Sequence, residues 1–275
     1  MSRVMDSRVI DEKEFNSAIA RGFAVLECFD QLHVEMTLSQ VATRTGLSPA
    51  TARRCLYTLS ILGYIRQHGR KFTLGARVLS LSSSYMRSSQ IDEFLLPELR
   101  GLVDTFGDAA SVAILDDNMV LYLAHTSRQN AVRPIAGIGV RYPAYATSLG
   151  KAMLAFATSD VQNRFLGMAP FPSLTDRTLS TKQALVQALY EVRRQGYAIA
   201  IDELDYGIAS LAVPIFDGEG QVVAAINTSG YSGRLSAETL IQDRLERVQL
   251  ASKNITAKLS QYPMLVRTAL TPPGR

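Results

Sequence analysis

The fold is decided by residues 37–65, which read TLSQVATRTGLSPATARRCLYTLSILGYI. Thr37, followed three residues later by Gln40, forms a capping box that opens a helix, and Gly46 is the residue type that commonly ends one. Ser48 then caps a second helix, whose first turn holds a proline where the missing N–H group costs nothing. The segment predicts two helices joined by a tight turn, the arrangement of a helix-turn-helix.

The neighbouring sequence supplies the remaining elements of a winged helix. Apolar residues recur at helical spacing over residues 16–29 and predict a preceding helix. Residues 64–66 and 71–74 read as two extended runs around the turn 68–70, which predicts a β-hairpin wing. A helix predicted over 77–88 follows; because it would be unstable alone, we expect it to pack against a second copy or the neighbouring domain.

The distribution of charge is more informative than the net charge of +4. Between Met36 and Ile91 the chain has no Asp or Glu, whereas Arg and Lys recur throughout. A block of one sign predicts a surface that binds a polyanion; a solvated basic face without a partner is the alternative. The second helix of the pair presents Arg and Tyr from its N-terminal half, as reading of the major groove requires. A module that contacts only protein is the other alternative.

From Asp92 onward, strands and helices alternate, which predicts an α+β domain. The predicted strands are 111–115, 120–124, 211–216 and 221–228, and the predicted helices are 148–157, 180–195 and 236–259. The chain is therefore expected to consist of a mainly α winged helix-turn-helix (12–75), a linker helix (76–91), an α+β domain (92–262) and a disordered tail (263–275).

Two segments of the second domain are candidates for a ligand site. Residues 144–151, AYATSLGK, lead from a loop into a helix whose free N–H groups and dipole suit a carboxylate. The alternative is that Ser148 merely caps the helix. On the last strand, Asn227 and Ser229 share a face among apolar neighbours, which indicates either the wall of a polar pocket or a side that faces solvent.

The runs 37–47, 51–59 and 62–65 resemble the winged helix of IclR-type transcription regulators. The resemblance implies that the third helix of the domain enters the DNA groove and that the wing lies on the flanking phosphate backbone. By this resemblance the groove contacts would be Thr51, Arg53, Arg54 and Tyr57, and the backbone contacts Arg70 and Lys71.

The second domain is similar to the same family over two signatures, residues 141–155 and 194–215, and the similarity as a whole spans 15–259. It implies a GAF-like effector domain in which the backbone N–H groups of Ser148 and Leu149 bind a ligand carboxylate. Ala200 stands where some members have an acidic ligand contact. The effector residues implied or suggested are Thr147, Ser148, Leu149, Gly150, Asp202, Glu203, Ser210, Asn227 and Ser229, with Arg133 and Arg141 as candidate cations for a second carboxylate.

Within the family, residues 143–151 are most similar to regulators of aromatic-acid catabolism, those that answer to protocatechuate, 4-hydroxybenzoate or β-ketoadipate. The resemblance implies a regulator of a catabolic operon that senses a small organic acid, an aromatic carboxylate or its ring-cleavage product. Its expected partners are double-stranded operator DNA, the acid, and further copies of itself as a homodimer or dimer of dimers, with RNA polymerase as another candidate. No cofactor or metal is expected.

Two rival functions remain. Ser148 and Lys151 fit the S-x-x-K form of acylating serine enzymes, but the companion S-D-N and K-T-G elements are missing and the histidines are scattered. We therefore expect no enzymatic activity. The other rival is a DNA-binding protein whose C-terminal domain only oligomerises.

The sequence also predicts the compartment. It has no run of about 20 apolar residues, which a membrane-spanning helix needs, and no secretion signal at its start. Cys28 and Cys55 both fall in helical patterns, so a disulfide framework is not expected. We therefore predict a cytoplasmic protein without membrane contact.

Overall fold

The computed structural model of the protein describes residues 13–30, 32–89, 91–128 and 137–261, together with 266 and 270. Contacts divide the chain into an N-terminal unit, Met1–Ser88, and a C-terminal unit, Ser89–Arg275. The tail predicted over 263–275 lies outside the described residues, apart from 266 and 270. Among the described residues no helix is both long and apolar enough to cross a membrane.

The N-terminal unit has the predicted helix-turn-helix. The Thr37 hydroxyl accepts a hydrogen bond from the Gln40 N–H, the Gln40 side chain accepts one from the Thr37 N–H, and Gly46 ends the helix at a φ of 68°. The capping box and the glycine therefore act as predicted. The helices are α1 (Ser17–Leu26), α2 (Leu38–Thr45), α3 (Pro49–Ile61) and α4 (Val78–Ser89).

The wing has three strands rather than the two that the sequence predicted. β2 (Ile65–His68) and β3 (Lys71–Leu74) form the hairpin, so His68 belongs to a strand and the turn is residues 69–70. β1 (Glu35–Thr37) pairs antiparallel with the other edge of β3. The strand order is β1-β3-β2, which places β3 in the centre.

The helical spacing that predicts α1 does not show which of its faces is buried. Val25 has no exposed surface and Cys28 is buried, whereas Ile19 and Phe23 are 59% and 52% exposed. The outward residues of α1 border a groove that α3 and α4 also line. The apolar groove is lined by Ile19, Phe23, Leu26, Leu59, Leu62 and Leu81, with Thr51, Arg54 and Cys55 among its other residues.

The C-terminal unit is built on one antiparallel sheet with the strand order β6-β5-β4-β9-β8-β7. The strands are β4 (Ala109–Asp116), β5 (Met119–Ser127), β6 (Arg141–Pro143), β7 (Ala198–Ile201), β8 (Ile208–Phe216) and β9 (Val222–Tyr231). The helices are α5 (Ile91–Phe106), α6 (Ser148–Phe156), α7 (Ser159–Leu166), α8 (Lys182–Gln195) and α9 (Ala237–Gln261). The predicted combination of a winged helix-turn-helix and an α+β domain is confirmed.

Residues 227–229 distinguish the two faces of this sheet. The Thr228 hydroxyl accepts a hydrogen bond from Arg244 of α9 at 3.0 Å, so its face is covered by α9. Because side chains alternate along a strand, Asn227 and Ser229 point to the opposite face, against which α6 packs. Asn227 is only 4% exposed, so the alternative of a solvent-facing strand side is wrong for this residue.

Candidate functional site

The third helix of the N-terminal unit presents its basic residues to solvent. Ala52, Leu56 and Leu59 are buried and hold α3 against the core. Arg53 and Arg54 are exposed, and neither helix nor wing covers them. The arrangement satisfies the first requirement of a DNA-reading helix, which is that its charged side chains are free to reach a duplex.

The exposed residues of α3 lie on two flanks of the helix. Arg53 and Tyr57, four residues apart, share one flank, and Tyr57 is 69% exposed. Thr51 and Arg54 share the other, where they border the apolar groove. The Thr51 hydroxyl is also 2.9 Å from that of the N-cap residue Ser48. The four predicted groove contacts therefore extend over about two turns of α3, from Thr51 to Tyr57, and they do not form a single row.

The wing supplies further positive charge. Arg66 and Arg70 are exposed and, among the described residues, the side chain of neither has a hydrogen bond or ion pair. Lys71 instead forms an ion pair with Glu35 across the β1–β3 ladder. An exposed pair of this kind contributes only about 0–1 kcal/mol, so the pairing is a weak barrier to a phosphate contact by Lys71.

Part of the basic block has a structural role. Arg44 donates to Asp30 at 2.7 Å and to the Cys28 carbonyl. Arg77 donates to the Leu62 carbonyl at 2.8 Å. These two arginines hold the unit together, so the block predicted from charge alone is larger than the surface available to DNA.

In the C-terminal unit, the start of α6 and two neighbouring strands bring together a polar cluster, which we define as Ser148, Ser210, Asn227 and Ser229. The Ser148 hydroxyl donates to the Ser210 hydroxyl at 2.8 Å, and both side chains are buried. Ser210 of β8 lies opposite Ser229 of β9 in the sheet register. The structure thus brings together four residues that lie in three separate segments of the sequence.

The first turn of α6 is capped by Thr147, whose hydroxyl accepts a hydrogen bond from the Gly150 N–H at 3.0 Å. The alternative in which Ser148 merely caps this helix is therefore wrong. The helix has no internal acceptors for the N–H groups of Ser148 and Leu149, because the carbonyls they would reach precede its first turn. An anion at this position would meet those N–H groups and the positive end of the helix dipole.

Lys151, one turn into α6, forms its hydrogen bonds with residues other than Ser148, the serine of the S-x-x-K pattern. Its ammonium donates to Glu203 at 2.5 Å and to the Ile199 carbonyl at 2.8 Å, and the side chain is 3% exposed. Burial lowers the pKa of Lys151, and the Glu203 carboxylate opposes that shift. With Ser148 bonded to Ser210 and Lys151 to Glu203, the pair does not form the couple that an acylating serine needs.

The remaining predicted effector residues are held elsewhere. The Asp202 carboxylate accepts the Gly207 N–H at 2.7 Å and shapes the loop between β7 and β8. Arg141 lies in the edge strand β6 and pairs with Asp116 at 2.8 Å. Because Asp116 is five residues along β4 from Ser111, the position opposite Asn227, the structure separates Arg141 from the cluster by roughly 17 Å along the strand. Arg133 lies outside the described residues.

Sequence reasoning missed one pair beside the cluster. The Ser111 hydroxyl lies 2.9 Å from Nδ1 of His125, and Ser111 is also the register partner of Asn227. Burial lowers the pKa of His125 below its usual value, so the imidazole is neutral at pH 7. Only strand register brings these residues together. Among the described residues no group of His, Cys, Asp and Glu could hold a metal ion.

Family models match both units. The model described as IclR helix-turn-helix domain matches residues 18–69, and the model described as Bacterial transcriptional regulator IclR C-terminal matches residues 83–257.

Individual relatives agree with these matches. The Pca regulon regulatory protein of Pseudomonas putida is 34% identical over 249 residues, which cover 90% of this chain and 86% of that protein. The p-hydroxybenzoate hydroxylase transcriptional activator of Acinetobacter baylyi is 31% identical and covers 87% of this chain and 90% of its own. A solved structure of an IclR homolog from Microbacterium hydrocarbonoxydans, complexed with 4-hydroxybenzoate, matches with a TM-score of 0.73 at 27% identity and covers 89% of this chain and 100% of its own.

The winged helix with its exposed basic surface, the α+β domain and both family matches agree, and the matched relatives are named as regulators rather than enzymes. This chain belongs to the IclR family of bacterial transcriptional regulators.

Proposed function

We propose that the protein controls a catabolic operon by binding operator DNA through its N-terminal unit and a small organic acid, an aromatic carboxylate or its ring-cleavage product, through its C-terminal unit. The observation that carries the ligand half is the polar cluster, which extends from the first turn of α6 to Asn227 of β9, whose buried side-chain carbonyl oxygen has no hydrogen-bond partner among the described residues. The names of the relatives support the aromatic class. Asp202 and Glu203 act in this proposal as positioning residues.

The N–H groups of Ser148 and Leu149 at the start of α6, which we call the anion seat, can be tested by removing one of them. Proline is compatible with the first helical position, and Thr147 before it already has the extended conformation that a residue preceding proline needs, φ −121° and ψ 146°. Ser148→Pro therefore removes the N–H, whereas Ser148→Ala removes only the hydroxyl. We expect Ser148→Pro to weaken the binding of 4-hydroxybenzoate roughly 10- to 100-fold and Ser148→Ala about 5-fold, as measured by calorimetry.

The melting temperature of each variant without acid serves as the folding control. For the wild type, a saturating acid present at 100 times its Kd should stabilise the C-terminal unit by about 2.7 kcal/mol. If no aromatic or short aliphatic acid raises the melting temperature at millimolar concentration, the rival view of a domain that only oligomerises is correct.

On the DNA side, we expect Arg54→Ala to cost roughly 1–3 kcal/mol on a duplex selected in vitro with the wild type and much less on random DNA. The physical reason is that an arginine can bond two acceptors on one guanine edge. Lys71→Ala should instead weaken both duplexes alike and lower the salt slope by about one. Fluorescence anisotropy over a salt series measures both. Equal losses of affinity on the two duplexes for Arg54→Ala would contradict its role as a base reader. A loss confined to the selected duplex in Arg53→Ala would then assign base reading to the other flank of α3.

We further propose that the apolar groove is covered by a second copy of the chain, which would give the two recognition helices that a repeated DNA site requires. Exposed apolar stripes such as Ile19 and Phe23 mark contact surfaces more often than solvated ones. Phe23→Glu should weaken dimerisation at least about 100-fold, because it would bury an unpaired charge. Leu32→Glu, at a residue that is 89% exposed and outside the groove, is the matched control. Light scattering that gives the same mass for both variants would refute the proposal.

A further inference from the structure

Beside the polar cluster, three adjacent strands place polar side chains in one row. Ser111 of β4 is the register partner of both His125 of β5 and Asn227 of β9. Partners in register point to the same face of a sheet, so all three lie on the face that carries the cluster. Ser111 is 1% exposed and Asn227 is 4% exposed, so water reaches these two side chains poorly, and His125 is half-buried.

The row lacks one hydrogen-bond donor. The Asn227 side-chain oxygen is buried and has no partner among the described residues. A buried carbonyl oxygen in this state lowers the stability of the fold unless a hydrogen-bond donor reaches it. A carboxylate has no proton to offer, whereas a hydroxyl group does. The missing partner therefore has the chemistry of an O–H or N–H group.

The row also offers a donor of its own. If the His125 proton is on Nε2, Ser111 donates to Nδ1 and the Nε2–H remains; if it is on Nδ1, the Ser111 hydroxyl proton remains. Either tautomer leaves one donor in the Ser111–His125 pair beyond the bond that joins them. Asn227 as an acceptor beside this pair as a donor matches a hydroxyl group, which both donates and accepts.

The distance between the row and the anion seat suits a small ring. Ser210, bonded to Ser148 at the start of α6, lies opposite Ser229, and Asn227 is two residues farther along β9. Two residues of strand span about 7 Å. A benzene ring with a carboxylate at one end and a hydroxyl at the other has a comparable length.

We propose that Asn227, Ser111 and His125 form a subsite for a hydroxyl group on the effector, remote from its carboxylate, so that the protein selects hydroxylated acids over unsubstituted acids and dicarboxylates. The inference rests on the proposed function, because it takes the first turn of α6 as the carboxylate seat. Since the row carries no net charge at neutral pH, a second carboxylate finds no counter-charge there.

The test uses the full chain and pairs of acids that differ only in the hydroxyl: benzoate with 4-hydroxybenzoate, and cyclohexanecarboxylate with its 4-hydroxy derivative, with terephthalate as the dicarboxylate. Calorimetry on the wild type should give a Kd for at least one hydroxylated member that is at least about 10-fold lower than for its partner and for terephthalate. In Asn227→Leu, which removes the unsatisfied oxygen at similar volume, the preference should fall to less than about 2-fold while the melting temperature is kept.

Two further variants distinguish the hydroxyl subsite from the carboxylate seat. Ser111→Ala should reduce the preference for the hydroxyl, whereas Ser229→Ala, beside the carboxylate seat, should weaken both members of a pair equally. If acids bind but without a preference for the hydroxyl, or if Asn227→Leu keeps the preference, the subsite is refuted and the proposed function stands. If no acid of the set binds, the subsite is refuted and, of the proposed effectors, only the ring-cleavage products remain.

Discussion

Lys151→Ala is expected to lower the free energy of unfolding of the C-terminal unit by about 3–5 kcal/mol, because it removes one partner of a buried ion pair. Lys151 and Glu203 are both buried, and within the part of the chain that the structure describes the second carboxylate oxygen of Glu203 already has no hydrogen-bond partner. Without the ammonium, the Glu203 charge would have no compensation in the core. Urea unfolding followed by far-UV circular dichroism measures the change.

The loss should depend on pH. Burial raises the pKa of Glu203, and Lys151 is the group that opposes this shift. In Lys151→Ala the folded-state pKa of Glu203 therefore lies still farther above its usual value. A raised folded-state pKa contributes stability that is present at low pH and lost as the pH rises through it. The difference from the wild type should thus be smaller at pH 5 than at pH 8.

Controls separate the ion pair from a general effect of removing a lysine. Lys182→Ala, at an exposed position at the start of α8, should change stability by less than about 0.5 kcal/mol. The double variant Lys151→Met with Glu203→Leu should recover most of the loss, since a buried pair replaced by apolar side chains is often neutral. If Lys151→Ala lowered the free energy of unfolding no more than Lys182→Ala does, the Lys151–Glu203 pair would be solvated rather than buried.

Gly150→Ala should be comparably harmful, for a steric reason. A Cβ atom at this position would lie 2.1 Å from the Ala144 carbonyl oxygen and 2.5 Å from the Ala144 Cα. These are backbone atoms that no rotamer change can move, so α6 would have to shift away from the short 3-10 helix Ala144–Ala146. We expect a loss of about 3 kcal/mol or more and, because the shift moves the anion seat, weaker binding of acids.

A matched control is available in the same unit. Gly101 also lies within a helix, α5, and a Cβ atom there would meet nothing within 4 Å. Gly101→Ala should therefore stabilise the unit by about 0.5–1 kcal/mol through the higher helix propensity of alanine. Thermal unfolding compares the two variants. Equal melting temperatures would mean that the approach of α6 to Ala144 is not a constraint.

Local signals explain which elements could be predicted. α2 was predicted to the residue because its capping box and terminal glycine act within a few residues of chain. β1 was missed because three residues cannot show a period, and the strand exists only through its pairing with β3. α5 was not predicted either, since Pro97 interrupts its interior and argues against a helix. The helix predicted from residue 180 begins instead at Lys182, after its N-cap Thr181, because the adjacent Ser180 and Thr181 offer the same capping signal.

In the candidate site, too, only the residues with a local sequence signal could be predicted. The start of α6 could be recognised because its polar residues are contiguous in the sequence. The partner of Lys151 could not, because Glu203 is 52 residues away, and the sequence named Glu203 as an effector residue instead. The Ser111–His125 pair depends on strand register, which no local pattern reveals. The residues of the DNA surface and the effector cluster remain predictions until the variants described above are measured.

The central position of β3 in the wing has a consequence for DNA binding. An isolated hairpin of two strands samples many orientations, and a duplex that it contacts must suppress that motion. In this protein main-chain hydrogen bonds join β3 to a strand on each edge, and Met36 of β1 is fully buried beneath them. Under the proposed function the wing meets the duplex already ordered, so we expect substitutions of the buried Met36 to alter operator affinity.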